Sequence, residues 1–387
     1  MFGIKSMSRQ VVKVTTVISV AALLLTACSS SRPLEDKALR TLTPVHAVSL
    51  FDENNQPNQV VGDDKKNAET LDILAISGGG SNGAYGAGVI YGWTQTGTRP
   101  NFDIVTGVST GALIAILAFA GPEYDETLRK VYTQQTNKTI YKEKGPLSGL
   151  FSDSYYDYTP FKKQISSIID DRLLAKVAQE YNKGRRLYVA TTNIDAGKLV
   201  VWDIGKLAAS NRHNKLLRTQ KIIRASATVP GFFKPVYIKP RNGIEIRQAH
   251  VDGSVKAPVL IRNFMFKRKA KHKNLYVLLN SQLKLADAAK PVKPDVASIS
   301  AKAISELIRG LTYKTVYQGY VTARNARSKF LMTYIPDDAN PIEFSLNFDQ
   351  QKMRALFNRG VQSGQNVKMW RKEPPRLESF ERVAGVN

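Results

Sequence analysis

A short serine motif has the clearest chemical potential in the chain. It reads Gly107-Val108-Ser109-Thr110-Gly111, which is the spacing G-x-S-x-G, and it stands between a β-prone segment and an apolar one. A serine on a sharp strand-to-helix turn presents its hydroxyl at the edge of a sheet, where it can act as a nucleophile. Gly107 and Gly111 suit such a turn because the neighbouring backbone comes too close for side chains. Ser109 is therefore the candidate nucleophile. The position of the motif between a predicted strand and a predicted helix is stronger evidence for this than the G-x-S-x-G pattern alone.

A glycine-rich loop lies upstream of this serine, after the apolar run 71–77 that predicts a buried strand. Because glycines lack Cβ atoms, their N–H groups can converge on an oxyanion, and the N-terminus of a following helix adds a favourable dipole. The run also fits the dinucleotide fingerprint G-x-G-x-x-G, but the next strand ends in Val105-Thr106, without the acid that would bind a ribose. A plain tight turn is the third interpretation. The candidate oxyanion-hole residues are Gly78, Gly79, Gly80, Ser81, Asn82 and Gly83.

An aspartate follows a β-prone stretch further along the chain, in Val251-Asp252-Gly253-Ser254. At the end of a strand and before a glycine, it can direct its carboxylate across the sheet and accept the proton of Ser109 as a general base. An isolated Asp-Gly pair is more often an ordinary turn, which reverses the chain direction and has no catalytic role. Asp252 is thus a candidate base in combination with the serine motif.

In this order, the three elements resemble the patatin-like phospholipase family, which has a glycine-rich oxyanion loop, a G-x-S-x-G serine and a D-G-G/A aspartate. The segment from Arg224 to Pro235 is also similar to the helix-to-loop segment before the family's aspartate. The resemblance covers roughly residues 71–279. It implies a serine acyl-ester hydrolase of the phospholipase A or lysophospholipase type, with a Ser-Asp dyad of Ser109 and Asp252. It implies no catalytic histidine, no cofactor and no metal.

The mechanism that the resemblance implies is acyl transfer to Ser109. Asp252 takes the serine proton and returns it to the leaving alcohol, and water then hydrolyses the acyl-enzyme. The N–H groups around Gly79, Gly80 and Ser81 hold the tetrahedral oxyanion.

Two positions depart from the family pattern. Asn82 stands where the family usually has Arg or Lys, so we expect oxyanion binding to depend more on backbone N–H groups. Ser254 replaces a Gly or Ala in the aspartate motif, which is a mild change. Neither departure removes the nucleophile or the base.

Two other functions stay open. A Ser-His-Asp esterase needs a histidine after Ser109, and the candidates are His213, His250 and His272. His250 is two residues before Asp252, so both side chains would share one face of a regular strand, although a histidine without a catalytic role is the simpler interpretation. The rival from another class is a non-catalytic envelope protein that keeps this fold as a binding or scaffold module.

The elements that must position these residues are predicted in the order strand, glycine turn, helix, strand, turn and helix, which is typical of a parallel sheet with crossover helices. Hydrophobic residues make up 43% of the chain, which is enough for a core and excludes a disordered chain. The predicted fold is α/β: a three-layer α/β/α sandwich around a mainly parallel sheet, with a helical C-terminal extension. The predicted divisions are a signal peptide 1–27, a tether 28–70, a catalytic domain 71–285 and the extension 286–387.

The N-terminus indicates export and a lipid anchor. A basic start precedes the uncharged, mostly apolar segment 14–27, which is shorter than the about 20 residues that cross a bilayer. It ends in Leu25-Thr26-Ala27-Cys28, which resembles the lipobox of bacterial lipoproteins, and Cys28 is the single cysteine. We therefore expect lipidation at Cys28 and no intrachain disulfide. Ser29 in place of Asp favours the outer membrane of a bacterial envelope.

The charge of the chain favours anionic partners. The formal net charge is +24, and removal of residues 1–27 leaves about +21, a field that attracts anionic lipids or lipopolysaccharide phosphates. Part of this charge can equally serve solubility, and nucleic acid is a poor partner outside the cytoplasm. The basic run from Lys267 to Lys273 is predicted to be a solvated loop, with a lipid-phosphate contact as the alternative. The expected partners are a lipid ester substrate and an anionic membrane surface, and the need for a protein activator stays open.

Overall fold

The computed structural model describes residues 68–144, 154–239, 247–283, 291–343 and 345–375. The predicted signal peptide, Cys28 and nearly all of the predicted tether lie outside these residues and stay predictions. In the described part of the chain, no helix is both long enough and apolar enough to cross a membrane.

One eight-stranded sheet forms the centre of the fold. The strands of the described residues are β1 Ala68–Ile76, β2 Ile104–Val108, β3 Lys142–Glu143, β4 Tyr156–Asp157, β5 Arg186–Asn193, β6 Lys198–Asp203, β7 Val236–Ile238, β8 Gln248–Asp252, β9 Ala270–Leu279 and β10 Lys329–Tyr334. Two of them, the short strands β3 and β4, form a separate hairpin. The order across the sheet is β10-β9-β1-β2-β5-β8-β7, and β6 also pairs with β5. The first five of these strands are parallel, whereas β6, β7 and β8 pair antiparallel. The carboxyl ends of the parallel strands therefore meet at one edge of the sheet.

Helices connect the strands and cover the sheet. They are α1 Gly83–Gln95, α2 Thr110–Ala120, α3 Asp125–Gln134, α4 Asn137–Ile140, α5 Thr159–Ile168, α6 Asp171–Asn182, α7 Ile204–Ala208, α8 Lys215–Ser226, α9 Val296–Asn325 and α10 Gln350–Gln365. Short 3-10 turns lie at Gly80–Asn82, Pro122–Tyr124, Gly253–Val255, Asn263–Phe266 and Val367–Met369.

Alternating side chains along the strands build two hydrophobic cores. In β1, Leu74 and Ile76 belong to the core on one face of the sheet, and Ile73 and Ala75 to the core on the other. The first core includes buried residues of α1, α2 and α10, and the second includes the segment 257–266 and residues of α9. Both faces of the sheet are covered, which confirms the predicted α/β/α sandwich with a mainly parallel sheet.

The C-terminal segment adds more than the predicted helices. The strand β10, which the sequence did not predict, pairs parallel with β9 and extends the central sheet. The helix α10 packs on α1 at backbone distance, since a Cβ on Gly360 would lie 2.1 Å from the carbonyl oxygen of Tyr85. A Cβ on Gly88 would similarly lie 2.0 Å from the carbonyl oxygen of Phe357. This segment therefore shares the sheet and the core of the residues before it.

Candidate active site

Ser109 stands on the turn between β2 and α2 in a strained backbone conformation. Its φ of 56° and ψ of −128° lie in a region that costs a non-glycine residue about 1–3 kcal/mol. Two glycines permit this tight turn: a Cβ on Gly107 would lie 2.3 Å from the carbonyl oxygen of Gly111, and one on Gly111 would lie 2.4 Å from that of Ser77. The turn places Ser109 at the carboxyl edge of the sheet, where it lines a cavity.

Asp252 is the last residue of β8, which pairs antiparallel with the end of β5. Its carboxylate lies close enough to the Ser109 hydroxyl for that group to lower its pKa, and it accepts a hydrogen bond from the backbone N–H of Ser254 at 2.8 Å. Burial raises the pKa of Asp252 to about 6, against the lowering effect of the hydrogen bonds from Ser109 and Ser254. The structure thus joins the candidate nucleophile to the candidate base without an intervening group.

The glycine loop passes directly beside Ser109. A Cβ on Gly78 would lie 3.1 Å from the Cβ of Ser109. The φ values of 155° at Gly79 and 55° at Gly80 belong to backbone that glycine adopts without penalty. In the described part of the chain, the N–H groups of Gly79 and Gly80 donate to no protein acceptor. These two groups are therefore available to an oxyanion formed at Ser109.

The other members of the predicted oxyanion hole have backbone N–H groups that are already bonded within the protein. An N–H that donates to a carbonyl oxygen is not available to an oxyanion, so the structure narrows the predicted hole to Gly79 and Gly80. Ser81, which was expected to contribute, is the main correction. The N–H groups of Gly78, Ser81 and Asn82 donate to the carbonyl oxygens of Pro258, Ser345 and Gly79, and that of Gly83 to those of Gly80 and Ser81.

The side chain of Asn82 is engaged away from the reaction centre. Its amide nitrogen donates to the carbonyl oxygen of Ile342 at 2.9 Å, and its amide oxygen accepts from the N–H of Ile342 at 2.7 Å. Together with the bond from Ser81 to Ser345, this ties the loop after β10 to the glycine loop. Asn82 thus fixes the position of the loop instead of providing the cationic contact that Arg or Lys would bring.

Two residues without an assigned role in the sequence analysis support the site. Ser226 accepts a hydrogen bond from the backbone N–H of Ser109 at 2.9 Å and donates to the carbonyl oxygen of Ala190 at 2.7 Å, which links the serine turn to β5. Asn280, directly after β9, accepts from the N–H of Gly86 and donates to the carbonyl oxygen of Ser77. Ser226 lies within the segment from Arg224 to Pro235, so the family resemblance was a signal for it.

The three histidines in the described residues are not part of this arrangement. His250 is buried, and its Nδ1 lies 2.9 Å from the Thr191 hydroxyl, which also accepts from the indole of Trp202. Burial lowers the pKa of His250 to about 4. His213 and His272 are exposed, and His272 lies near the amino end of β9, opposite to the edge that carries Ser109. The described residues therefore give no support to a Ser-His-Asp triad.

The cavity above Ser109 and Asp252 has a volume of about 730 Å³ and two kinds of wall. One wall is apolar and comes from the residues before 285, namely Leu113, Ile140, Phe161, Ile223, Val229 and Phe233. The other comes from α9 and the loop after β10. It combines the polar residues Lys302, Ser305, Glu306, Arg309, Asp337 and Asn340 with apolar ones such as Ile308, Leu346 and Phe348. Among the described residues, no group of three or more His, Cys, Asp or Glu could hold a metal ion. The cavity suits an amphiphilic molecule.

Comparison with known families identifies the domain that holds this site. Residues 74–265 match the family model described as patatin-like phospholipase. A search of curated proteins gives no significant match. The matched range contains Ser109, Asp252 and the glycine loop, but it ends before α9, β10 and α10.

A search of solved structures finds distant matches to this chain. VipD from Legionella pneumophila has 12% sequence identity, with 77% of this chain and 67% of that chain covered and a TM-score of 0.39. The type III effector protein ExoU has 11% identity, with 77% and 52% covered and a TM-score of 0.32. The complex of ExoU with SpcU from Pseudomonas aeruginosa has 14% identity, with 78% and 52% covered and a TM-score of 0.29. The chain spans about half of the length of the ExoU chains that it matches.

Proposed function

We propose that this chain, which carries a patatin-like phospholipase domain over residues 74–265, hydrolyses the acyl esters of lipids with Ser109 as nucleophile and Asp252 as general base. The observation that supports this most directly is that the Ser109 hydroxyl and the buried Asp252 carboxylate lie side by side in one cavity. It lies beside a glycine loop with two available N–H groups.

The first step is acylation of Ser109. Asp252 accepts the hydroxyl proton while Ser109 Oγ bonds to the ester carbonyl carbon. The carbonyl oxygen gains negative charge in the tetrahedral intermediate, and the N–H groups of Gly79 and Gly80 stabilise it. The intermediate collapses as the C–O bond to the alcohol breaks, and protonated Asp252 gives its proton to that alcohol.

The second step releases the fatty acid. Asp252, again ionised, takes a proton from water, and the resulting hydroxide attacks the acyl-enzyme carbonyl. The same N–H groups bind the second oxyanion, and the proton returns to Ser109 as the acyl–serine bond breaks.

The two walls of the cavity favour a lipid over a small soluble ester. Phe161, Ile223 and Phe233 offer an apolar surface for an acyl chain, and burial of each CH₂ group contributes about 0.8 kcal/mol. Lys302, Glu306 and other polar residues on the opposite wall suit a glycerol or head group. Either a diacyl phospholipid or a lysophospholipid satisfies this division.

We propose further that the protein acts at a bacterial envelope, anchored through Cys28 to the outer membrane. The support is the sequence from Leu25 to Cys28 and the formal net charge of +24, which favours an anionic membrane surface. Hydrolysis measured with and without an envelope extract tests whether an activating protein partner is needed.

The test is fatty acid release from phospholipid vesicles by the full chain with Cys28→Ser, compared with Ser109→Ala, Asp252→Asn and His250→Gln. Loss of at least 10³-fold in kcat in the first two variants, with activity kept in the third, is expected, since removal of a nucleophile or base has effects of this order. An equal loss in a folded His250→Gln variant would favour the triad esterase. Lack of activity on every ester, with or without an envelope extract as a source of activator, would favour the binding module.

A further inference from the structure

The outer face of α8 carries cations next to an exposed apolar side chain. Leu217, Lys221 and Arg224 have the spacing i, i+4 and i+7, which places them on one face of the helix. Leu217 is 65% exposed, although it is large and apolar. The face thus combines positive charge with one exposed apolar side chain.

Two neighbouring elements bring further cations to this face. The helix α5 packs beside α8, where the Gln220 amide donates to the carbonyl oxygen of Ile169 at 2.7 Å, and it carries the exposed Lys162. The exposed Arg247 directly precedes β8. We call Lys162, Lys221, Arg224 and Arg247 the basic face.

The members of the basic face act on one another. Partial burial lowers the pKa of Lys221, and so do the positive charges of Arg247, Arg224, Lys162 and Arg218, in that order. Each of these charges has the same sign as the Lys221 ammonium. The cluster is therefore electrostatically unfavourable by itself and is relieved by a bound anion.

No member of the basic face takes part in an ion pair within the described ranges. Other exposed cations of this protein do have acidic partners: Arg129 pairs with Glu126 at 2.6 Å, and Lys271 with Glu69 at 2.8 Å. The four charges of the basic face are therefore available, as a cluster, to a partner outside the chain.

The same helices form the wall of the active-site cavity on their inner side. Phe161 of α5 and Ile223 of α8 line the cavity, one residue before Lys162 and one before Arg224. A flat anionic surface on the basic face would therefore contact the outer side of the wall that we propose binds the acyl chain. A bilayer of anionic phospholipid presents such a surface, with phosphates for the cations and acyl chains for Leu217.

We propose that the basic face, with Leu217, is the surface through which this protein docks on anionic phospholipid bilayers. The proposal rests on the proposed lipid hydrolysis for its purpose, because it names the surface that brings the enzyme to its substrate. It differs from the alternative raised by the sequence, in which the run from Lys267 to Lys273 contacts lipid phosphate. That run precedes and begins β9, at the opposite edge of the sheet from Ser109, and its Arg268 is buried against Asp103 at 3.1 Å.

The test compares two triple variants of the full chain, both with Cys28→Ser. One removes charge from the basic face by Lys162→Gln, Lys221→Gln and Arg247→Gln. The matched control removes equal charge near the opposite edge by Lys267→Gln, Lys269→Gln and Lys329→Gln, all at exposed positions. Sedimentation with vesicles of phosphatidylglycerol and phosphatidylcholine, and with pure phosphatidylcholine, measures the partition coefficients.

We expect the first triple variant to bind the anionic vesicles about 100-fold more weakly than the parent, from a contribution of about 1 kcal/mol per cation at the surface. The control should bind within about threefold of the parent, because charges beyond a Debye length of about 8 Å are screened. Equal losses in both triple variants, or a loss confined to the control, would overturn the proposal. Turnover of a soluble short-chain ester should be the same in all three proteins. If the parent hydrolyses no ester, the proposed function fails, while sedimentation still decides the role of the basic face.

Discussion

Ser254 acts on the carboxylate of Asp252 through two groups: its backbone N–H donates a hydrogen bond at 2.8 Å, and its side-chain hydroxyl lowers the pKa of Asp252. The hydroxyl is present because the aspartate motif ends in serine instead of Gly or Ala. Both groups favour the ionised carboxylate and lower the pKa of Asp252 against the larger effect of burial. Ser254 is therefore a positioning residue for the base, and it acts on the ionisation of Asp252.

The Ser254→Ala variant should shift the rising limb of the pH–rate profile to higher pH. Loss of the hydroxyl removes one bond to the ionised carboxylate, so the pKa of Asp252 rises further. At pH above the shifted limb, kcat/KM should stay within about tenfold of the parent, since Ala is tolerated without strain and the backbone bond remains. Ser305→Ala, on the opposite wall of the cavity, is the control, and an unchanged limb in Ser254→Ala would contradict this role.

The pH dependence of the parent should report Asp252. The base must be ionised to accept the Ser109 proton, and burial places its pKa at about 6. We therefore expect kcat/KM to be constant at high pH and to fall about tenfold per pH unit below that pKa. His250→Gln should leave this limb in place, whereas a limb that disappears in His250→Gln would point to histidine as the base.

Asp252→Asn should make the protein inactive and more stable at neutral pH. The pKa of Asp252 is raised from 3.8 to about 6 on folding, so the folded state binds the proton more tightly than the unfolded state. Its contribution to stability is present at low pH and is lost as the pH rises from about 4 to 6. A neutral amide avoids this loss, and we expect a gain of about 1–3 kcal/mol in the free energy of unfolding at pH 8. Urea denaturation at pH 8 and at pH 4 measures it; an equal gain at both pH values would contradict the explanation.

The parts of the site that depend on local sequence could be predicted. Gly107 and Gly111 are needed because backbone approaches within 2.4 Å of where their Cβ atoms would be, and their spacing around Ser109 is visible in the chain. The strand before each motif is a short apolar run, which also predicts the parallel sheet. These requirements involve neighbours along the chain or the pairing of buried strands.

The contacts that complete the site could not be predicted, because they join distant residues through groups without a sequence pattern. Asn82 and Ile342 are 260 positions apart, and the bond uses the backbone of Ile342, which any residue would provide. The bond from the N–H of Ser81 to the carbonyl oxygen of Ser345 also uses only backbone groups, which have no sequence pattern. Because of this bond, the N–H of Ser81 is not available to an oxyanion. The edge strand β10 is only six residues long and follows a long helix, so its membership of the sheet depends on pairing with β9.

Asn82→Ala should release the loop after β10 from the glycine loop. Two buried hydrogen bonds to Ile342 are lost, which we expect to lower the free energy of unfolding by about 2–3 kcal/mol. Since the loop lines the cavity, KM should rise more than kcat falls. In Asn82→Asp, the carboxylate can still accept from the N–H of Ile342, but it also faces the carbonyl oxygen of Ile342 and repels it. The free energy of unfolding of this variant should therefore also be lower than that of the parent, and more so at high pH, where the carboxylate is ionised. A pure loss of kcat in Asn82→Ala, with unchanged stability, would instead indicate direct oxyanion binding.

A pair of glycine variants tests whether the C-terminal segment folds together with the catalytic residues. The Cβ of Gly360→Ala would lie 2.1 Å from the carbonyl oxygen of Tyr85, so α10 must move away from α1, and we expect a loss of about 2–3 kcal/mol. Gly310→Ala on α9 has nothing within 4 Å of the new Cβ and should gain about 0.5–1 kcal/mol from helix propensity.

Urea denaturation followed by tryptophan fluorescence suits this test because Trp93 of α1 packs against Trp370 at 4.8 Å. Since β10 and α10 share the sheet and the core with β1 and α1, the loss in Gly360→Ala should appear in one cooperative transition by fluorescence and circular dichroism alike. Two separate transitions, with only one of them shifted, would mean that the segment unfolds independently of the residues that hold Ser109 and Asp252.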